Sequence, residues 1–404
     1  MKQSDNHREE QRLQGELARH RQAGDKACML SDHADLGALY QERGDLGKAE
    51  EMYLHALRVS EELQDFRGQA GIFTKLGLLC EMQGNLTRAS ENLSRALDIA
   101  TESGDGEGQA IACGYLGFVL FRQGAFAEAE VLYRRSLSLN MQIGNLTKEA
   151  EDYGNLGILF LAQGMLDQSE EMLHQSTVRY RAAGDQKGIA DQHHSLGNLY
   201  LARKEYARAE EMFVQGLQLH QQIGHLLGIA LHYAGLGQVY QQTERMEEAE
   251  NSLELALALY EQLGHKAKSA WAHTNLAWVQ LARQDVAKAC VGLEEAFRLY
   301  EEMGQTIDIA QACNALGEVY LLMAQLDRAE EMHQQALRLS RSLGDRRGEA
   351  FACAGLGYTA ARRGEIGQAV AMFTVASNQF RSVGMMEDGA RLEAAIRGVW
   401  SRGR

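Results

Sequence analysis

The sequence predicts an all-α solenoid of nine two-helix units, each forty residues long, with a capping helix at either end. Three observations predict it. Columns of like residues recur at a spacing of 40 with no insertion or deletion. Each unit carries two apolar stripes at helical three- and four-residue steps. Glycines punctuate the stripes at a constant position, which suits the left-handed residue just past a helix end.

Taken in chain order, residues 1–25 read as a partial unit, because residues 5–23 align with a second helix and are weakly apolar at Leu13 and Leu17. Nine units follow over residues 26–384. Leu-Gly recurs at Leu36-Gly37, Leu76-Gly77, Leu116-Gly117, Leu156-Gly157, Leu196-Gly197, Leu236-Gly237, Leu316-Gly317 and Leu356-Gly357, with Leu276-Ala277 as the variant. Ala49, Tyr53 and Ala56 open three further columns of small, bulky and small residues. In the fourth unit Ala150, Tyr153, Leu156, Leu159 and Phe160 form the first stripe, Gln163-Gly164-Met165 the turn, and Leu166, Ser169, Leu173 and Ser176 the second stripe. Small residues at 157, 169 and 176 let the backbones approach while large ones fill the gaps. Units are separated by a glycine column running from Gly24 to Gly384, with Gln64 the exception. Asp25, Asp65, Asp105, Asn145, Asp185 and Asp345 come next and are expected to cap the following helices. Residues 385–404 read as a closing helix, with Ile396 and Trp400 on the Leu and Tyr columns and Arg397 where another unit would need a glycine. One helix pair cannot bury its own stripe, so the units must stack.

Composition narrows the function. The 404 residues include 41 basic and 55 acidic side chains, a net charge of −14, and no proline. That balance argues against nucleic acid or an anionic membrane as the main partner. No apolar run is long enough to insert in a membrane, no secretion signal opens the chain, and six scattered cysteines suit a reducing cytoplasm. Cys113, Cys313 and Cys353 share a column with Phe73 and Tyr153 and should be small core residues. No two histidines stand at helical metal-clamp spacing, so no metal or other cofactor is expected. Gly104–Gly108 looks superficially like a phosphate loop, but it follows a helix and occupies a unit boundary, so it reads as a turn. The acidic pairs Glu50-Glu51, Glu170-Glu171, Glu210-Glu211 and Glu330-Glu331 are expected to complement their helix dipoles and face water. Reactive groups normally sit on loops held by a rigid frame. Here every connection is short and no catalytic set emerges, so a non-enzymatic role is expected.

His33, Leu36-Gly37, Tyr40, Ala49, Tyr53 and Ala56 together resemble the tetratricopeptide (TPR) repeat, and the likeness holds over roughly residues 26–384. The unit is six residues longer than the 34-residue form and lacks its proline, which resembles the variant of Pins-type polarity adaptors, kinesin light chains and bacterial TPR regulators. The resemblance implies a right-handed superhelix whose first helices line a concave, peptide-holding wall. Carried over position by position, that wall includes Phe118, Phe121, Asn155, Ile158, Asn198, Gln238, Trp271, Asn275, Trp278 and Asn314. Asn155, Asn198 and Asn275 match the asparagines of the adaptors' Asn-Leu-Gly-Asn segments; an amide can bind a peptide main chain without reading its sequence. The basic residues of chaperone-tail clamps are largely missing, Lys75 standing alone. The resemblance therefore implies an adaptor or scaffold for protein or peptide partners, with a peptide-gated regulator or a self-associating scaffold as alternatives.

Overall fold

The computed structural model describes residues 2–402, with side chains described from 7 to 398; Trp400 therefore lies outside the described side chains. The chain divides into two compact units, Met1–Leu199 and Tyr200–Arg404. Among the described residues there are twenty helices and no strand. The first unit contains α1 (Lys2–Ala23), α2 (Lys26–Glu42), α3 (Leu46–Leu63), α4 (Phe66–Met82), α5 (Leu86–Glu102), α6 (Gly106–Arg122), α7 (Phe126–Ile143), α8 (Leu146–Ala162) and α9 (Leu166–Ala183). The division falls within α10 (Gln186–Ala202). The second unit continues with α11 (Tyr206–Ile223), α12 (Leu226–Gln242), α13 (Met246–Gln262), α14 (Lys266–Ala282), α15 (Val286–Met303), α16 (Thr306–Leu322), α17 (Leu326–Leu343), α18 (Arg346–Arg363), α19 (Ile366–Ser382) and α20 (Met386–Arg402).

Within each unit the helices stack in chain order. First helices carry even numbers, and they also touch one another directly, α4 with α6, α6 with α8, and α16 with α18. Those contacts set first helices side by side from α4 to α8 in the first unit and at α16 and α18 in the second.

The columns act as expected at the level of packing. Leu156 is fully buried with Ala129, Tyr133, Leu159 and Phe160. Gly157 is required beside it, since a Cβ there would stand 2.6 Å from the Leu173 side chain. Ser169 and Ser176 do more than leave room. Their hydroxyls donate across the helix pair to the carbonyls of Gly157 and Ala150, each at 2.7 Å. The boundary column is left-handed throughout, and Gln64 adopts it too, at φ 55°. Lacking glycine's freedom, Gln64 carries a small conformational cost there. The anticipated caps form: Asp65 accepts from the Gly68 amide at 2.9 Å, Asp185 from Gly188 at 2.8 Å and Asn145 from Lys148 at 3.1 Å. Gly104 is the left-handed turn residue and Asp105 caps α6, so the glycine-rich segment is a helix junction. Leu13 of α1 is buried against α2 and α3 residues, and Leu392 and Ile396 of α20 pack on the cluster around Phe373 and Phe380.

The acidic pairs require a correction. Their second members, Glu51, Glu171, Glu211 and Glu331, face water, but the first members are half-buried. Glu50 meets Arg88 at 2.8 Å, Glu210 meets Arg245 at 2.9 Å, and Glu330 pairs with Arg363. Glu10–Arg43 and Glu250–Arg283 repeat the theme. Each pair ties a second helix to the segment that ends or follows the next first helix, so these glutamates clip neighbouring repeats together. Partial burial makes such pairs more useful than fully exposed ones.

Candidate functional site

The wall of first helices opens into a cavity in the first unit and into a trough in the second. In the first unit α6 and α8 diverge around a cavity of about 370 Å³. Ile111, Tyr115 and Phe118 of α6 form its apolar side, Lys148, Glu151, Asp152 and Asn155 of α8 its polar side, and Ser136 and Asn140 of α7 its floor. Local sequence explains the opening. Asn140 stands where other units place Tyr180, Tyr260 and Tyr300, and Gly114 stands where others place Thr74, Thr274 and Asn314. Space opens at Gly114: a Cβ would meet nothing nearer than Ser136 Oγ at 3.7 Å. Missing side-chain volume at both positions leaves a hollow in an otherwise close-packed layer.

Asp152 is the unusual group of that hollow. Its column holds alanine in four other units, at Ala112, Ala272, Ala312 and Ala352, and another buried carboxylate at Asp32; here the carboxylate is only 3% exposed. Asn140 Nδ2 donates to its Oδ2 at 2.7 Å, and Ser136 Oγ lies 3.0 Å from the same oxygen. Burial pushes the acid up to about 6, against the two hydrogen bonds, which favour the ion. At the rim Lys148 Nζ donates to Glu151 at 2.6 Å. Burial pulls the lysine down, but the carboxylate partner outweighs it and the net shift is upward, so the ammonium stays charged.

In the second unit α14, α16 and α18 border a trough of about 540 Å³, lined by Trp278, Gln311, Asn314, Glu318, Arg347 and Phe351 among others. The Arg347 guanidinium lies 5.8 Å from the Phe351 ring centre. Crowding by the surrounding protein pushes the Glu318 carboxyl up.

The ten residues expected on the wall divide into three groups. Phe118 and Asn155 meet in the first cavity, and Trp278 and Asn314 in the second trough. Phe118 and Trp278 are each 38% exposed, as an anchor for a partner should be. Ile158 is exposed beyond the first cavity, while Asn198 and Gln238 are half-buried and line neither hollow. Phe121 and Trp271 serve packing. Phe121 meets Phe126 at a tilt of 47° with ring centres 5.8 Å apart, and Trp271 packs against the clusters around Tyr260 and Leu253. Two amides are also occupied: Asn275 donates to the Trp271 carbonyl at 2.8 Å, and Asn314, 9% exposed, reaches the Gly348 carbonyl. The buried His333 lies beside Asn314, and burial holds its ring down to about 4. Sequence reasoning missed Asp152, Ser136, Asn140, Tyr115 and Arg347. The signal was present as a carboxylate in a buried column that is alanine in four other units.

The cysteines are core groups. Cys113, Cys313 and Cys353 are buried, and burial pushes the thiols up, to about 11 at Cys113 and about 12 at Cys313, which leaves them unreactive. Among the described residues no group of three metal-ligating side chains forms, and no helix is long and apolar enough to cross a membrane.

A tetratricopeptide repeat family model matches residues 25–102, 68–142, 109–182, 226–302 and 308–382, and a second such model matches 193–223. The chain is a tetratricopeptide-repeat protein. No curated protein matches this TPR chain. Among solved structures it is similar to a Rap protein complexed with competence and sporulation factor, with TM-score 0.58, 12% identity and 92% of this chain and 98% of that one covered. It is similar to the apo quorum sensor NprR from B. thuringiensis, with TM-score 0.56, 12% identity and coverage of 89% and 99%. It also resembles aspartyl phosphate phosphatase F from Bacillus subtilis, with TM-score 0.55, 12% identity and coverage of 93% and 95%. At these identities the likeness is one of fold, a TPR-like helical solenoid.

Proposed function

We propose that the chain is a non-enzymatic interaction protein that holds protein or peptide segments against its first-helix walls, as an adaptor or scaffold. One observation carries the reading: in each unit the wall opens into a hollow where an exposed aromatic, Phe118 or Trp278, stands beside polar groups. An exposed ring in a concave, partly polar setting is what a partner's apolar side chain needs as an anchor. The net charge of −14 favours partners with a basic or neutral surface. A peptide-gated regulator is the second reading, supported by the fold shared with a Rap protein solved with competence and sporulation factor and with the quorum sensor NprR.

Affinity capture followed by mass spectrometry tests the proposal. The paired substitution Phe118→Ala with Trp278→Ala is expected to lower recovery of specific partners at least tenfold, in line with loss of anchor residues worth about 2 kcal/mol or more each. Circular dichroism of the variant should match the wild type, because both rings are substantially exposed. Undiminished recovery of every partner would refute the wall as the binding surface. Trp271→Ala is a poor choice for that experiment, since its ring packs into the core and its loss would disturb the fold.

A further inference from the structure

The cavity between α6 and α8 has a chemistry more particular than a generic peptide wall. We propose that it is a binding site for an alkylammonium group, whose charge meets the Asp152 carboxylate and whose carbon stem lies along Tyr115 and Phe118.

Asp152 is almost wholly buried, yet it lines a hollow of about 370 Å³ instead of a packed core. Both of its hydrogen-bonding neighbours, Ser136 and Asn140, address the same oxygen, Oδ2. Oδ1 takes no hydrogen bond from any described residue. Oδ1 is thus the oxygen left for a group entering the cavity to meet.

Charge sets the sign of the ligand. The lining holds two carboxylates and one ammonium, and Lys148 is engaged with Glu151 at 2.6 Å. The remaining formal charge is that of Asp152, so an anion would be repelled and a cation attracted. Tyr115 and Phe118 in the lining add to that preference, because aromatic rings attract cations.

Geometry then selects among cations. A guanidinium prefers a carboxylate that offers both oxygens to its planar fork. Oδ2 is already taken, which leaves a single acceptor suited to a compact ammonium. An ammonium has three donors, and the Asn155 side chain, which lines the same cavity, supplies a further oxygen acceptor. Ile111, Tyr115 and Phe118 are each partly exposed and give an apolar entry for a short methylene stem. The ligand is therefore a primary amine on a short aliphatic chain. Such a group reaches the cavity either as the lysine side chain of a bound segment, which rests on the interaction reading above, or as a free amine, which does not.

The test uses the full chain carrying 13C-labelled isoleucine methyl groups, with the Ile111 methyl as reporter. n-Butylammonium, Nα-acetyl-lysine methylamide, n-butanol and n-butanoate are each titrated at pH 7.5. Saturable displacement of the Ile111 signal by the two ammonium compounds is expected, with neither n-butanol nor n-butanoate producing it. Asp152→Asn should weaken the ammonium response at least tenfold, and Tyr115→Leu, which keeps an apolar wall but removes the ring face, should weaken it several-fold. Tighter binding of the lysine derivative supports the segment-borne source, and tighter binding of n-butylammonium supports the free amine. No saturable response, an equal response to n-butanol, or an unchanged response in Asp152→Asn would overturn the site. A null titration alongside partner capture that still depends on Trp278 would overturn the ammonium site and leave the interaction reading intact. A specific titration alongside capture that ignores both Phe118 and Trp278 would uphold the ammonium site and remove the interaction reading.

Discussion

Leu156→Ala is expected to destabilise the first compact unit by about 2–5 kcal/mol, the range for truncating a buried leucine. The side chain has no exposed surface and is enclosed by Tyr133, Leu159 and Phe160. Leu173 packs so close to Gly157 that a Cβ there would stand 2.6 Å from it, so the helix pair has little freedom to collapse into the space left behind. That places the expected loss toward the upper part of the range. Ile158→Ala is the matched control: two positions along the same helix, 41% exposed, and expected to change stability by no more than about 0.5 kcal/mol. Denaturant unfolding of both variants, followed by far-ultraviolet circular dichroism, gives the comparison. Equal effects of the two substitutions would mean that the Leu-Gly column does not mark the core.

The contrast between Leu156 and Ile158 also shows what was legible in the sequence. A periodic array declares its packing because each column is sampled nine times, and a side chain that must be small or large in every unit cannot hide. Leu156, Gly157, the left-handed column and the Asp and Asn caps were readable for that reason, and Gln64 was readable as the one column member without glycine. Function is carried by departures from the columns, where repetition gives no help. Phe121 and Trp271 sit at wall positions, yet they lean into the layer between helices, because one turn of rotation decides whether a ring faces water or core. Asn275, expected to offer its amide to a peptide, donates to the Trp271 carbonyl, and Asn314, expected on the wall, reaches the Gly348 carbonyl. Asp152 was overlooked because the columns were read for what they share. The paired glutamates were misjudged for a related reason: their arginine partners lie 33 to 38 residues away, at Arg363 and Arg88 for example, and do not keep one constant column.

Asp152→Asn is expected to make the protein more stable at neutral pH, and the size of the gain should depend on pH in a defined direction. Burial raises the native acid from 3.8 to about 6, so the native state holds this proton more tightly than the unfolded chain does. Between those two values the native state binds more protons, and stability must fall as the pH rises through the window. Below about 3.8 the group is neutral in both states and costs nothing; above about 6 the native state carries the full penalty, on the order of 3 kcal/mol for a shift of this size. Asparagine keeps an oxygen for the Asn140 and Ser136 donors but never ionises. The variant should therefore exceed the wild type by up to about 3 kcal/mol at pH 7.5, with the difference shrinking toward zero near pH 4, as read from paired thermal melts across that range. A variant that is less stable at pH 7.5, or a difference that ignores pH, would show that the carboxylate is already compensated inside the fold. The expected outcome has a wider meaning. Four other units place alanine in this column, Ala112, Ala272, Ala312 and Ala352, so the array does not need a carboxylate there to pack. A buried charge that weakens its own host is retained where it does something else, and a vacant oxygen facing a cavity is the place for a ligand to do it.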